Sequence, residues 1–357
     1  MENEQERNFL VGLLTENHEL AEKIGGALGK PGQRTDLQFY DRLDEELNAV
    51  FCAIDAVGYP DKLKSLIHTM MITKYHLMLI DVEKGLTPAN AEILVLMEIF
   101  FNNFSTTPIF VLCDVESQHD YLIPSRIEEL GKILGATSLK DADILTVGSK
   151  DERSKIKEKI LSIHETHNES TERPEDTVVL IDNVFPVKGI GTVILGTMKS
   201  GHLKVNDMLH LIGLEKKVII RSIQKHDRDF KDAVEGERVG LAVKGVKHDS
   251  INRDVILAKP ALFQIKQIMD VEIHTIPFYK HAISPDSDRQ FTMFCNLASS
   301  PFKVKKGERI DPGESGEVAV VLTNPIPIEK SQPLGIIAEL NKFDNNLRVV
   351  GYCRISL

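Results

Sequence analysis

The feature that most constrains the fold of this chain is a change of pattern near its middle. Before residue 166, short apolar runs alternate with helix-like stretches, which predicts an α/β domain on a mainly parallel sheet. After residue 176 the helical periodicity disappears, and short strands alternate with turn pairs such as Lys188-Gly189 and Asn206-Asp207. Such spacing is typical of small β-barrels. We therefore predict a multi-domain chain with an α/β part followed by an all-β part.

The apolar runs of the first part predict five buried strands, at residues 8–14, 49–55, 76–81, 108–113 and 143–147. Helix-like stretches between and after them lie at residues 19–28, 63–71, 89–101, 125–134 and 151–164. Ligand sites in sheets of this kind lie at the carboxyl ends of the strands. We expect any site of this domain at that edge.

A polar and charged segment separates the two parts. Residues 164–176 read HETHNESTERPED, a composition typical of a linker. The all-β part is long enough for two small barrels or one large one, and a break near Lys259-Pro260 divides it into halves of barrel size. The predicted segments are an α/β domain at 1–165, a linker at 166–176 and two β-barrels at 177–259 and 260–357.

The net charge of −10 argues at first against nucleic acid as a partner. The charge is unevenly distributed, however. Residues 1–176 hold 18 basic and 32 acidic side chains, whereas residues 177–357 hold 25 basic and 21 acidic ones. An acidic first part joined to a mildly basic second part predicts different partners for the two.

Several features predict a cytoplasmic protein that has no contact with a membrane, and we expect it to be a monomer. No apolar run approaches the ~18 residues that a membrane span needs, and the amino terminus is acidic and polar, unlike a secretory signal. The four cysteines are isolated from one another, which argues against a zinc site or a disulfide framework and fits a reducing compartment.

Residues 178–259 carry a resemblance to a known family. They include VVLIDNVFPVKGIGTVILGTMKSG, RSIQKHDRDFKDAVEGERVG and INRDVILAKP. This stretch resembles the second domain of translational GTPases of the elongation factor Tu type, and is most similar to their selenocysteine-specific (SelB) branch and its archaeal paralogues. One departure is Asp254, where the family usually has Gly. The resemblance implies a P-loop-GTPase-like parallel sheet domain followed by two elongation-factor-type β-barrels.

The phosphate-binding loop that the resemblance implies has lost its residues. A P-loop uses glycines to let backbone N–H groups approach phosphate, a Lys for the β/γ charge and a Ser or Thr for Mg²⁺. The corresponding positions are Thr15, Leu20, Ala21 and Glu22. Carboxylates placed against a triphosphate repel it. We therefore expect a GTPase scaffold with no catalytic residue, no metal and no cofactor.

The other nucleotide motifs are only partly retained. Asp55 and Gly58 match the switch-II signature, but Tyr59 stands where the family has a His. Glu116 matches the Asp that reads guanine. If GTP and Mg²⁺ bind at all, the resemblance assigns this degenerate site to Asp55, Gly58 and Glu116. Asp55 and Gly58 are equally explained as a strand end and a turn.

The resemblance also implies a pocket for the aminoacyl end of tRNA on the first barrel. Its residues are Asp182, Asn183 and Phe185 from the first strand, His226 from a later strand, and Arg238. Side chains of these types stack on bases and form charged hydrogen bonds. The alternative is that Phe185 belongs to the core and Arg238 only turns a hairpin.

Two groups of basic residues are candidates for phosphate contacts. The first comprises Arg221, Lys225, Arg228, Lys244 and Lys247; the second comprises Lys303, Lys305, Lys306 and Arg309. The leading hypothesis is an elongation-factor-like protein that binds tRNA or aminoacyl-tRNA through its barrels. The alternatives are a genuine GTP-hydrolysing elongation factor, and an RNA-free scaffold that docks onto the ribosome or a translation protein.

Overall fold

The computed structural model describes residues 6–116, 118–148, 153–166 and 176–357. The chain divides into two units. The first comprises Met1–Ser170 with Lys342–Leu347, and the second comprises Thr171–Asn341 with Arg348–Leu357.

The first unit is built on a seven-stranded sheet in the order β2-β3-β4-β1-β5-β6-β7. Strands β4, β1, β5, β6 and β7 are parallel. At one edge β3 pairs antiparallel with β4, and β2 pairs antiparallel with β3. The strands are β1 (Arg7–Leu14), β2 (Lys30–Pro31), β3 (Gln38–Asp44), β4 (Ala49–Asp55), β5 (Tyr75–Asp81), β6 (Thr107–Cys113) and β7 (Asp143–Val147). The five predicted strands are confirmed. The apolar pattern misses β3 because only its first three residues are buried.

The helices of this unit are α1 (His18–Leu28), α2 (Leu63–Ile72), α3 (Pro88–Phe104), α4 (Ile123–Leu134) and α5 (Ser154–Thr166). Helix α3 begins with a capping box, in which Thr87 and Asn90 exchange side-chain hydrogen bonds with each other's backbone N–H. The predicted start of α5 at residue 151 lies outside the described residues. Within the described part of the chain, no helix is both long and apolar enough to cross a membrane.

The topology determines where this unit can hold a ligand. Strand β1 is central, with β2–β4 on one side of it and β5–β7 on the other. Helices α1 and α5 pack on one face of the sheet, where they bury Leu20, Ile24, Ile156 and Ile160 against β1 and β4. The loops that follow β1 and β5 run in opposite directions, so a crevice forms between them at the carboxyl edge.

The second unit begins with a barrel. Its six strands close in the order β11-β16-β8-β9-β15-β12, and β12 pairs back with β11. Short strand β13 extends β12, and β10 pairs with β14. The strands are β8 (Val178–Val187), β9 (Gly191–Ser200), β10 (His202–Lys204), β11 (Met208–Ile212), β12 (Lys216–Lys225), β13 (Arg228–Phe230), β14 (Asp232–Val234), β15 (Arg238–Lys244) and β16 (Ile256–Ala258). Gly201 turns the chain with φ +77°, and a side chain there would meet the Asp176 carbonyl at 2.6 Å.

A second closed barrel follows in the same unit, with the order β17-β20-β19-β18-β21-β22. Its strands are β17 (Phe263–Thr275), β18 (Phe291–Cys295), β19 (Ala298–Gly307), β20 (Ser315–Glu329), β21 (Leu334–Ala338) and β22 (Val349–Ile355). Lys199 of the first barrel reaches the second: its Nζ lies 2.7 Å from Asn296 Oδ1 and 2.6 Å from Glu329 Oε2. The predicted fold class, an α/β sheet domain followed by two barrels, is confirmed.

Candidate functional sites

The connection between β1 and α1 is only three residues long, Thr15, Glu16 and Asn17. Three of the four positions that correspond to P-loop residues, Leu20, Ala21 and Glu22, therefore lie inside the start of α1 and not in a loop. Asn17 Oδ1 accepts the Leu20 N–H at 3.2 Å, so a side chain already satisfies a donor that a phosphate would need. Ala21, at the position of the P-loop Lys, is fully buried.

Asp55 is buried at the end of β4 and pairs with His18, the first residue of α1. The Nδ1 atom of His18 lies 3.3 Å from Asp55 Oδ2, and its Nε2 lies 2.7 Å from the Tyr59 carbonyl oxygen. Both partners are acceptors, so both contacts are hydrogen bonds only when the imidazole is protonated. The hydrogen bond to Asp55 raises the pKa of His18, and burial raises the pKa of Asp55. When it is protonated, His18 thus neutralises the Asp55 carboxylate from within the same unit.

Gly58 and Tyr59 have structural reasons for their identities. A Cβ at Gly58 would collide with Ser65 Oγ, so helix α2 packs too closely for a side chain. The Tyr59 ring is buried, and its hydroxyl donates to the Ala89 carbonyl oxygen at 2.8 Å. Tyr59 is therefore a core residue and cannot replace the water-positioning His.

The loop after β6 is arranged differently from a guanine site. The buried carboxylate of Asp114 accepts the backbone N–H groups of Gln118 and His119 at 3.2 and 2.8 Å. Glu116 is exposed and forms an ion pair with Lys23 Nζ at 2.7 Å. The hydrogen bond from Lys23 lowers the pKa of Glu116. The structure thus does not bring Glu116 together with Asp55 and Gly58 through any contact among the described residues.

The crevice at the carboxyl edge is lined mainly by polar residues, and three of them are carboxylates. A cavity of about 460 Å³ lies between the loops after β1 and β5. Its charged residues include Glu16, Glu19 and Asp81, and Lys84 lies on its β5 side. In the described parts of the chain, no group of three or more His, Cys, Asp or Glu side chains is arranged to hold a metal ion.

On the first barrel, the structure brings Asp182 and Arg238 together. Asp182 lies at a bulge of β8, is 3% exposed, and accepts Arg238 Nη2 on its Oδ1 at 3.0 Å. Its backbone carbonyl oxygen accepts Arg253 Nε at 2.8 Å. Asp182 Oδ2 is buried and has no hydrogen-bond partner among the described residues. Arg238 opens strand β15 and does more than turn a hairpin.

Strand β9 lies between the strands that carry this pair. Its Thr197 is opposite Leu180 of β8 on one side and opposite Arg238 of β15 on the other. The Thr197 hydroxyl is buried and, within the described residues, makes no hydrogen bond. Sequence reasoning missed Thr197, because a Thr inside a strand carries no signal beyond its β propensity.

The remaining predicted pocket residues lie apart from this pair. Phe185 is paired with Val193, four residues along β9 from Thr197, a separation of roughly 13 Å. Phe185 is half-buried and is not part of the barrel core, so the core interpretation of Phe185 is wrong. Asn183 Oδ1 accepts the Val184 N–H at 2.9 Å.

His226 lies in a turn and not in a strand, which corrects the sequence prediction. Strand β12 ends at Lys225, and His226 and Asp227 have φ values of 50° and 58°, as in a type I′ hairpin. The last pair between β12 and β15 joins Gln224 to Gly240. His226 and Arg238 both lie two residues beyond that pair, at the same end of the barrel.

A wide groove of about 1180 Å³ runs along the other end of the first barrel. Its floor includes Val187 and Ala242, and its exposed basic side chains are Lys188, Arg221, Lys244 and Lys247. Three of these were singled out in the sequence, and Lys188 was missed because it is isolated there from other basic residues.

Two further basic residues named from the sequence behave differently. Lys225 is buried, with its Nζ 2.8 Å from both carboxylate oxygens of Glu237 and 4.1 Å from the Phe230 ring centre. The prediction of a phosphate contact for Lys225 is therefore wrong. Arg228 is exposed and stacks over the same ring at 5.4 Å.

The basic cluster of the second barrel lies on β19 and the segment after it. Lys303, Lys305 and Lys306 are exposed, and Arg309 pairs with Asp311 at 2.7 Å. Lys303 of β19 is paired with Val321 of β20, and on its other side Val321 is paired with the exposed Ile268 of β17.

Comparison with known proteins agrees with this architecture. The family model for elongation factor Tu domain 2 matches residues 191–253. An uncharacterized protein of Methanocaldococcus jannaschii is 32% identical over 273 residues, which cover 75% of this chain and 79% of that protein. The selenocysteine-specific elongation factor of the same organism is 22% identical over 315 residues, covering 84% of this chain and 66% of the factor.

Solved structures of elongation factors share the fold. SelB of Methanococcus maripaludis in complex with the GTP analogue GppNHp matches with a TM-score of 0.82 and 21% identity, over 98% of this chain and 79% of SelB. Its apo form matches with a TM-score of 0.81 and 23% identity, over 98% of this chain and 80% of SelB. A bacterial selenocysteine-specific elongation factor matches with a TM-score of 0.80 and 18% identity, over 98% of this chain and 58% of that factor.

Proposed function

Because the chain belongs to the SelB-like family of translational GTPases, we propose that it is an elongation-factor-like protein that binds tRNA or aminoacyl-tRNA through its barrels and does not hydrolyse GTP. The two parts of this proposal rest on different parts of the molecule. RNA binding rests on the first barrel, and the loss of nucleotide chemistry rests on the β1–α1 connection.

The observation that carries RNA binding is the basic groove of the first barrel. Four exposed cations, Lys188, Arg221, Lys244 and Lys247, surround an apolar floor. Lys and Arg side chains bind phosphate oxygens, and an unstacked base can lie on apolar or aromatic surface between them. Half-buried Phe185 is opposite Val193 of β9, which is in turn opposite Ala242, a residue that lines the groove. The groove therefore fits a single-stranded RNA end better than a duplex.

The Asp182–Arg238 pair is the proposed contact for the esterified amino acid. Asp182 Oδ2 is a buried acceptor that no donor of the described residues reaches, and such an atom carries a free-energy cost until a donor reaches it. A protonated amino group supplies that donor. His226 at the same barrel end adds a second polar contact.

The loss of nucleotide chemistry follows from length and charge. Phosphoryl transfer depends almost entirely on positioning and on neutralising phosphate charge. The three-residue connection to α1 leaves no loop that could surround phosphate. The adjoining cavity adds Glu16, Glu19 and Asp81, which repel it.

Sequencing of RNA that copurifies with the full chain tests the proposal. Tagged protein is cross-linked in cells, and the bound RNA is compared with that recovered by an Arg221→Glu/Lys244→Glu variant. Enrichment of tRNA with the parent chain, and its loss in the variant, supports the proposal. Recovery of proteins without tRNA contradicts the proposal and supports the scaffold alternative.

A further inference from the structure

The loop after β4, residues 56–62, is held from three sides. His18 Nε2 of α1 lies 2.7 Å from the Tyr59 carbonyl oxygen. The Tyr59 hydroxyl donates to Ala89 of α3 at 2.8 Å. The Gly58 N–H donates to the Asp36 carbonyl oxygen at 3.2 Å. Of these three attachments, only the one made by His18 involves a group that titrates near neutral pH.

The His18 attachment depends on a proton. Its two ring nitrogens face a carboxylate oxygen and a carbonyl oxygen, both acceptors. A neutral imidazole has one N–H, so it can donate to only one of them. Asp55 is buried, and its second carboxylate oxygen, Oδ1, has no hydrogen-bond partner among the described residues. A neutral His18 would therefore keep its one N–H on the carboxylate and leave Tyr59.

The surrounding charges favour the protonated form. Asp55 of β4 raises the pKa of His18, whereas burial and Arg34, from the β2–β3 connection, lower it with a smaller net effect. Tyr40 of β3 also faces this cluster. Burial raises the pKa of its hydroxyl to about 12, and the carboxylates of Asp55 and Glu22 contribute to the rise. Glu16, Glu19 and Asp81 line the same cavity as His18, together with Lys84.

We propose that His18 is a proton-controlled latch that holds the loop of residues 56–62 against the amino end of α1 and releases it when the proton is lost. The latch is closed below the pKa of His18 and opens as the pH rises through it. The contacts involved lie within the first unit, and the inference is independent of RNA binding.

Hydrogen exchange across a pH series tests this latch. The full chain is followed by mass spectrometry from about pH 5.5 to about pH 8.5, with correction for the intrinsic exchange rate, while the ring signals of the histidines are titrated by NMR. We expect His18 to titrate above pH 6.5. We expect protection of residues 56–62 to fall about tenfold with the same midpoint, while β1 stays protected.

Variants separate a latch from a merely structural contact. His18→Gln keeps a donor but cannot titrate, so the loop's protection should lose its pH dependence. His202→Ala is the matched control: His202 pairs with Asp232 at 3.1 Å on the first barrel and should leave residues 56–62 unchanged. Loop protection that is independent of pH in the parent chain, or a His18 midpoint below 6.5, overturns the proposal even if the His18 variants fail to fold.

Discussion

At the scale of single residues, the Asp182–Arg238 pair determines both stability and the proposed cargo contact. The carboxylate is 2% exposed and the guanidinium side chain 17% exposed. Removing one partner leaves a buried charge, which is more costly than replacing both. We predict that Arg238→Ala lowers the free energy of unfolding by about 3 kcal/mol, and that adding Asp182→Ala restores part of it. Urea unfolding of the single and double variants measures this; equal losses would contradict it.

His76 makes a separate prediction about pH. It is fully buried in β5, donates from Nε2 to backbone carbonyl oxygens, and burial lowers its pKa to about 4. In the unfolded chain this histidine takes up a proton near pH 6.5, whereas in the folded chain it does so only near pH 4. The contribution of neutral His76 to stability is therefore fully present above pH 6.5 and is lost as the pH falls toward 4. The expected loss is about 3 kcal/mol.

Stability curves against pH check this prediction. His76→Gln should reduce the acid slope, because Gln retains a donor without titrating. His281→Gln, at an exposed histidine, is the control and should keep the parent slope. Identical slopes in all three chains would rule out the assigned role of His76.

At the scale of elements, the β1–α1 connection is the decisive feature. Restoring the lost P-loop side chains with Ala21→Lys/Glu22→Thr should not restore GTP binding, because α1 begins at His18 and the loop is too short. Ala21 is also buried, so the variant should lose stability. Calorimetry with GTP and Mg²⁺ measures the binding. Micromolar affinity in the repaired chain would show that loop length is not limiting.

Lys199 makes a prediction about the barrel pair. Its ammonium group satisfies Glu329, whose side chain is 9% exposed, together with Asn296. Lys199→Met should therefore lower the unfolding free energy of the barrels by about 2–4 kcal/mol, by leaving Glu329 uncompensated. Lys330→Met, at the exposed residue next to Glu329, is the matched control for differential scanning calorimetry. A similar change in both variants would contradict the assignment.

The elements also show how far sequence reasoning reaches. The buried parallel strands, the two barrels and the turns at Gly189 and Asn206 follow from periodicity and turn chemistry, and the structure has them. The short β1–α1 connection also follows from the apolar pattern to within one residue. The capping of α1 by Asn17 does not, because it depends on a local hydrogen bond that a polar residue in any loop could make. The same holds for His226, whose positive φ is set by the hairpin.

The candidate sites also contain residues that the sequence indicates and contacts that it does not. Three of the four basic residues of the groove are visible in the sequence. Only strand register decides that Lys244 and Arg221 share a surface while Lys225 is buried against Glu237. The pairing of Asp182 with Arg238 crosses an intervening strand. No spacing along the chain indicates such a contact.

At the scale of the whole molecule, the charged residues divide between an acidic α/β part and a mildly basic barrel part. The net charge of −10 hides this division. RNA affinity should therefore arise from the barrels and should not respond to nucleotide, unlike that of a GTPase that switches with GTP.

The most direct measurement is tRNA binding across a salt series, with and without GTP. We predict that affinity falls steeply with salt, that GTP changes nothing, and that Arg221→Glu/Lys244→Glu reduces the logarithmic salt slope by about two phosphate contacts. Lys30→Glu/Lys140→Glu, at exposed sites on the α/β part, is the control and should bind as the parent chain does. A flat salt response, or an affinity that appears only with GTP, would contradict the account.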